Sequence, residues 1–416
     1  MTSTEAIARF AADIEYDRLP PDVREATKRR LLDALGVGLR HRDSRPVESV
    51  RRGLLSEVGE NTGASRLWGS PATASASRAA TINAVSVASG NGPTFLTPTP
   101  ARAGGSIVAV LAAADSQGAT GEETIAGIAT ALELHGECAR NAPLDGWDPA
   151  THTAVAAAVG AGRTVGLEEP ALEHAAGIAA SRVTLSVGSA TDPVPTGTAA
   201  SAGLQACSLA ESGVTAADAL SAPNGWHDLV GPFDLDFDFG CERVRDTAVL
   251  PYDATPYEQP AIGAAIELAS DEPVDPADID AVTVETFDAA VEGIDPGRIA
   301  AALVDRELAV YYGMRTDLKP IAESVTVDAV EELTERAERG GFPARVAVEA
   351  RDGTVSESSV EGFDGHPSTP ASWGTVEEKF HAIVGGTYDR DRREEIVRTV
   401  RSFEAESAGE LGRLLG

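Results

Sequence analysis

The first place in this chain where chemistry could sit is a histidine near the start of a helix built from small residues. The stretch GWDPATHTAVAAAVGAGRTVGL, residues 146–167, puts Asp148 at an N-cap and Pro149 at the first helical position. His152 then falls in the first turn, where unpaired backbone N–H groups and the positive end of the helix dipole favour a carboxylate ligand. An imidazole there can give or take a proton near neutrality, and the helix N-terminus lowers its pKa. The plainer alternative is that Asp148 is only a cap and His152 only a packed core histidine.

Other chemistry-bearing patterns lead less far. GAGRTVG, residues 160–166, has the wrong last spacing for a dinucleotide loop, and it ends a helix instead of linking a strand to one. DLDFDFG, from Asp234, alternates like a strand with three carboxylates on one face; lacking EF-hand spacing and the closing glutamate, it is expected to be an exposed edge. GxSxG, HExxH and P-loop patterns do not occur. Cys138, Cys207 and Cys241 are scattered, odd in number and without CxxC spacing, which predicts a reducing compartment and no metal site.

The elements that must position such residues have to fold under an extreme charge imbalance. The 416 residues carry 65 Asp plus Glu against 34 Lys plus Arg, a net charge of -31, and the lysines are Lys28, Lys319 and Lys379 alone. Acidic residues are spread along the chain and form no tail, which predicts a solvated, halophile-type surface and argues against nucleic acid and anionic membrane as partners. The N-terminal MTSTEAIARFAADIEY is amphipathic and contains acids, unlike a signal or transit peptide, and no apolar run reaches membrane length. A cytoplasmic protein is expected.

Length predicts two domains. Helical periodicity dominates residues 7–220. LPPDVREATKRRLLDALGVGL predicts a helix after Pro20 and Pro21 that ends near Gly36 and Gly38, and further helices are expected at about 75–88, 106–115, 122–135, 150–166, 171–180, 197–210 and 216–220. Their Ala- and Gly-rich faces predict a tightly packed central layer. Beyond residue 250, IDAVTVETFDAAVE, ESVTVDAV and the pair ARVAVEA/GTVSESSV alternate like strands, and Asp352-Gly353 marks a hairpin. The expected division is a helical domain over 1–258, an α+β domain over 259–370, and helices over 371–416 that return to the first domain.

With these segments in view, the chain resembles the MmgE/PrpD family, whose type member is 2-methylcitrate dehydratase and which includes decarboxylases and epimerases of small polycarboxylates. LPPDVREATKRRLLDALGVGL is similar to the family's opening helix. GWDPATHTAVAAAVGAGRTVGL is similar to its Gly-Trp-Asp helix, and FPARVAVEARDGTVSESSVEGFDGHPSTPASWGTVEEKF to its C-terminal hairpin and Lys-Phe segment. The resemblance implies a mainly α fold: a large helical domain made from both chain ends, an inserted α+β lid, and an active site in the cleft. It also implies a homodimer, or pairing with a paralogue, and a lyase that needs no cofactor.

The resemblance thins where the chemistry should be. The family's acidic run falls on Asn91, Pro93 and Thr94, its histidine on or beside Arg102, one lysine on Asp192, and a second lysine and histidine on Leu250 and Tyr257; Tyr252 and Gln259 match. Dehydrating a polycarboxylate needs a base, an acid for the leaving hydroxyl, and cations or dipoles to hold the charge. The residues implied for those tasks are His152, Tyr252 and Tyr257 as catalytic groups, with Arg102, Asp148, Thr151 and Gln259 binding substrate. Arg102 suits a bidentate carboxylate grip, whereas Asp192 should repel a polyanion and otherwise reads as a turn residue. Two functions follow: a 2-methylcitrate dehydratase-like lyase (or an isomerase or decarboxylase in the same cleft), and an inactive member that binds a ligand or partner. Glu133 and His135 resemble structural positions.

Overall fold

Alanine and glycine determine how the helices of this protein meet. The computed structural model describes every residue except 1, 57, 60, 143, 145–146, 183–191, 222, 272–274 and 307–315. Gly146, the first residue of the Gly-Trp-Asp motif, therefore lies outside the described residues. The chain divides into two compact units, Met1–Val249 with Trp373–Gly416, and Leu250–Ser372.

The first unit opens with α1 (Ser3–Asp13), α2 (Pro21–His41) and α3 (Arg45–Leu55), and continues with α4 (Ala76–Ala88), α5 (Gly104–Gln117), α6 (Gly121–Asn141), α7 (Ala150–Thr164), α8 (Glu169–Ala180), α9 (Val194–Glu211) and the short α10 (Trp226–Val230). Two-residue strands punctuate them: β1 (Ser65–Arg66), β2 (Thr73–Ala74), β3 (Thr94–Phe95), β4 (Ala101–Arg102) and β5 (Thr247–Ala248). The β3 strand pairs antiparallel with both β4 and β5.

At the centre, α7 packs on α5, α6, α8 and α9. Nearly every residue from Ala150 to Thr164 is buried. The helices approach to backbone contact: a Cβ added at Gly160 would stand 2.6 Å from the Ala131 Cβ and 2.8 Å from the Gly127 carbonyl. Such spacing leaves no room for a methyl group. The helix stops at Gly166, which has φ +79 and lets the Leu167 N–H reach the Gly162 carbonyl at 2.9 Å.

In the second unit, α11 (Gln259–Asp271) and α12 (Pro296–Asp305) cover a sheet of β6 (Ile279–Thr286), β7 (Val325–Ala329), β8 (Ala344–Ala350) and β9 (Val355–Val360), in the order β7-β6-β8-β9. Its β6/β7 pair is parallel and the others are antiparallel. Alternation puts Val282 opposite Val348 and Val284 opposite Val346, all four buried beneath Ile262, Leu268 and Ile299. Gly353, at φ +84, turns the β8/β9 hairpin, and the Asp352 carboxylate accepts the Thr354 N–H at 2.9 Å. The short α13 (Lys319–Glu323) and α14 (Glu331–Glu338) complete this unit; α15 (Trp373–Val384), α16 (Arg390–Arg401) and α17 (Ala408–Leu414) belong to the first.

Charge closes the first unit. Lys379 on α15 meets the Asp33 carboxylate of α2 at 2.5 Å, with Asp33 fully buried and Lys379 nearly so. Lys28, also on α2, binds Glu404 at 3.0 Å and the Arg401 carbonyl at 2.8 Å. The third lysine, Lys319, is exposed.

Three local expectations are corrected. The α2 helix does not end near Gly36 and Gly38; it runs on to His41 because those glycines are contact points, Gly38 against Trp68 and Gly36 against Phe380 and Ile383. Residues 216–220 form no helix, because Asp218 accepts the backbone N–H groups of Leu220 and Ser221 and holds a turn there. DLDFDFG forms no strand: Glu133 and Glu137 of α6 accept N–H groups of Asp238 and Asp236, and Phe237 stacks on Phe10 at 4.7 Å.

Two predictions follow from this packing. Gly160→Ala should destabilise the protein by about 1–3 kcal/mol through overpacking, whereas Gly53→Ala, on the open face of α3 with no atom within 4 Å, should stabilise it by up to ~1 kcal/mol; denaturant unfolding measures both. Lys379→Met, which strands Asp33 buried without its cation, should cost about 3–5 kcal/mol, and an Asp33→Leu/Lys379→Met double variant should recover most of that loss in the same assay.

Candidate ligand pocket

Arg102 reaches its position through the short strand β4. Pairing of β4 with β3 sets Arg102 opposite Thr94, and its Nη1 donates to the Ala88 carbonyl at 2.9 Å. That carbonyl closes α4, so the guanidinium caps a helix C-terminus with one N–H and keeps the rest of its donor fork. Burial lowers the Arg102 pKa, and the nearby Asp148 charge opposes that shift.

A cavity of about 130 Å³ lies beside it, lined by Pro100, Arg102, Asp148, Pro149, Ala150, Asp192 and Thr196. All of these belong to the first unit. Two helix starts converge on it. Asp148 Oδ1 accepts the Ala150 N–H at 2.8 Å at the head of α7, and Asp192 Oδ1 accepts the Val194 N–H at 3.0 Å at the head of α9. The regular helix begins at Ala150, with Pro149 rather than Asp148 as its N-cap. The carboxylate thus caps the turn leading into α7, one step earlier than expected.

His152 is placed differently from the expectation that it faces ligand. It is 3% exposed, and its Nε2 donates to the Ala142 carbonyl at 3.0 Å. Its ring lies 6.0 Å from His135 and 5.8 Å from Trp226, centroid to centroid. Helical periodicity explains this: two positions beyond Ala150, the side chain swings from the pocket face to the α6 face. His135 is fully buried as well, with Nδ1 at 2.9 Å from Ser106 Oγ. Burial pushes His152 down to about 4 and His135 down to about 3. Both are neutral at physiological pH, and His152 is not among the residues that line the cavity. Thr151 is buried too and does not line the cavity.

The remaining expected site residues lie in the second unit. The Gln259 carboxamide is consumed in holding a loop: Oε1 accepts the Tyr252 N–H at 3.0 Å, and Nε2 donates to the carbonyls of Tyr252 at 3.1 Å and Ala254 at 2.8 Å. It closes a turn, with both Nε2 hydrogens directed at backbone carbonyls of its own unit. Tyr257 packs in an aromatic group with Phe287 and Phe342, and Tyr252 packs on the core of that unit. Burial raises both phenols above their ordinary pKa, which makes them poorer acids. Among the described residues, no group of three His, Cys, Asp or Glu side chains could hold a metal ion, and no helix is long and apolar enough to cross a membrane.

Asp192 and Thr196 are the pocket residues with polar side chains that are absent from the expected site. A signal for Asp192 was present: Asp192-Pro193 repeats the Asp148-Pro149 pattern ahead of a second small-residue helix. Thr196 carried none.

Buried neutral histidines make folding sensitive to acid. In the unfolded chain each titrates near 6.5, so their contribution is complete above that pH and is lost as pH falls towards the folded values. Glu133, pushed up to about 7 by burial, acts in the opposite sense. His152→Gln keeps a donor for the Ala142 carbonyl and removes one titration. Between about pH 6 and 5 it should lower the slope of unfolding free energy against pH by about 1 kcal/mol per unit, as read from denaturant midpoints across that range.

Sequence models of the MmgE/PrpD N-terminal domain and the MmgE/PrpD C-terminal domain match residues 5–235 and 252–404. No curated protein matches the chain. The two domain matches cover almost its full length, and with the mainly helical architecture they establish that this chain belongs to the MmgE/PrpD family.

Proposed function

We propose that this chain is a divergent MmgE/PrpD-family protein that binds a small organic acid in the Arg102 pocket and does not dehydrate a polycarboxylate through His152. The observation that carries the reading is the cavity itself: a guanidinium with unspent donors faces it, while the histidine expected to do acid–base work is sealed against α6 and hydrogen-bonded to Ala142. An arginine fork in a partly buried cavity is a strong carboxylate ligand.

A second reading, a lyase of the 2-methylcitrate dehydratase type, draws on a separate observation. Asp148 is near enough to Arg102 for its charge to act on the guanidinium, so a carboxylate base stands beside a carboxylate grip. Proton removal next to a carboxylate needs that combination. Homodimerisation is proposed on the resemblance to family members. A cytoplasmic, high-salt setting is proposed on the acidic excess and on three free cysteines, all buried.

The test pairs binding with turnover in molar KCl. Calorimetric titration with small carboxylic acids should give binding that Arg102→Gln weakens at least tenfold, about 1.4 kcal/mol, while His152→Gln leaves it within about twofold. Equal affinity in wild type and Arg102→Gln would remove the pocket from the function. Turnover of 2-methylcitrate, citrate or cis-aconitate that survives His152→Gln and fails in Asp148→Asn would select the lyase reading over binding alone.

A further inference from the structure

We infer that the Arg102 pocket selects a small monocarboxylate bearing hydroxyl groups and rejects di- and tricarboxylates, an inference that rests on the proposed carboxylate site and specifies its ligand. Three observations carry it: the charges around the cavity, the hydrogen-bonding roles already filled there, and its volume.

Among the described residues lining the cavity, Arg102 contributes one positive charge and Asp148 and Asp192 contribute two negative ones. The partial positive charges at the starts of α7 and α9 would otherwise attract anions, but each already faces the carboxylate that caps it. One ligand carboxylate therefore finds a cation. A second or third finds Asp148, half-buried, or Asp192, exposed, and like-charge contact with either disfavours it, most strongly at low salt.

The same two carboxylates define what the rest of the ligand should offer. With Oδ1 of each committed to a backbone N–H, the second oxygen of each remains an acceptor by chemistry, and Thr196 adds a hydroxyl on the same lining. Acceptors of this kind are satisfied by ligand O–H groups. Volume sets the scale: about 130 Å³ is close to the ~150 Å³ of a protein cavity that admits benzene, so a ligand of roughly six or seven non-hydrogen atoms fits, and one of citrate size has about twice that number.

Glycerate and lactate are the probes for the small class, and malate and citrate for the multiply charged one, each titrated calorimetrically at one fixed KCl concentration. Wild type should bind glycerate at least about tenfold more tightly than citrate. Asp192→Asn keeps a side-chain oxygen that can accept the Val194 N–H, so it should leave the unfolding midpoint nearly unchanged. The variant should bring malate within about threefold of glycerate. Citrate bound as tightly as glycerate by wild type, or a malate-to-glycerate ratio unmoved by Asp192→Asn, overturns the selection while leaving the carboxylate site standing. Failure of every acid to bind, with Arg102→Gln indistinguishable from wild type, overturns the carboxylate site itself.

Discussion

The first unit depends on two lysines in a chain that has almost none. A sequence with nearly twice as many acids as bases repels itself, and α2 must still meet helices that follow the whole second unit in sequence. Lys379 against Asp33 and Lys28 against Glu404 supply that closure on α2. The Asp33 pair is the more demanding of the two. Burial raises the Asp33 pKa, the Lys379 charge opposes that, and the pair persists because both groups are held in hydrogen-bonding contact. The neighbouring Arg30, also buried, is anchored by Thr247 at the edge of the small sheet that carries β3 and β4. The helix that closes the unit thus also anchors the sheet to which β4 belongs.

Around that closure the helices pack by being thin. Glycines and alanines on α6, α7 and α9 bring backbones into contact, so the central layer is dense and carries few side chains that could bend into a site. Chemistry is displaced to the helix ends. At the heads of α7 and α9, with β4 beside them, charged side chains reach a shared space, and two positions further along α7 the side chains enter the core. His152 falls on the wrong side of that boundary.

Much of the fold was legible in sequence. Periodicity located α4, α5 and α7 to α9 to within about three residues and the start of α6, which runs six residues past its expected end to Asn141; alternation located β6 to β9, and Asp352-Gly353 located the hairpin. What escaped were places where a tertiary contact overrode a local signal. Gly36 and Gly38 read as a helix end and proved to be close contacts with α15 and Trp68; the alternating carboxylates of DLDFDFG read as a strand, and instead α6 glutamates take the backbone hydrogen bonds of that segment. Of the expected site, Arg102 and Asp148 stand at one cavity, whereas His152 Nε2 and the Gln259 carboxamide bond to backbone of their own units.

The four Asp-Pro pairs show where the limit lies. Asp148, Asp192, Asp275 and Asp295 each precede a proline, and each accepts the N–H two residues on, at 2.8–3.0 Å. Sequence determined that chemistry completely, because proline fixes the backbone and supplies no N–H, and the aspartate caps the next donor. It determined the family and the charge of the surface in the same local way. Which two of the four would line one cavity together with an arginine was decided only by the packing of α7 against α9 and by β4. Those are distances between residues far apart in sequence, and no local pattern encodes them.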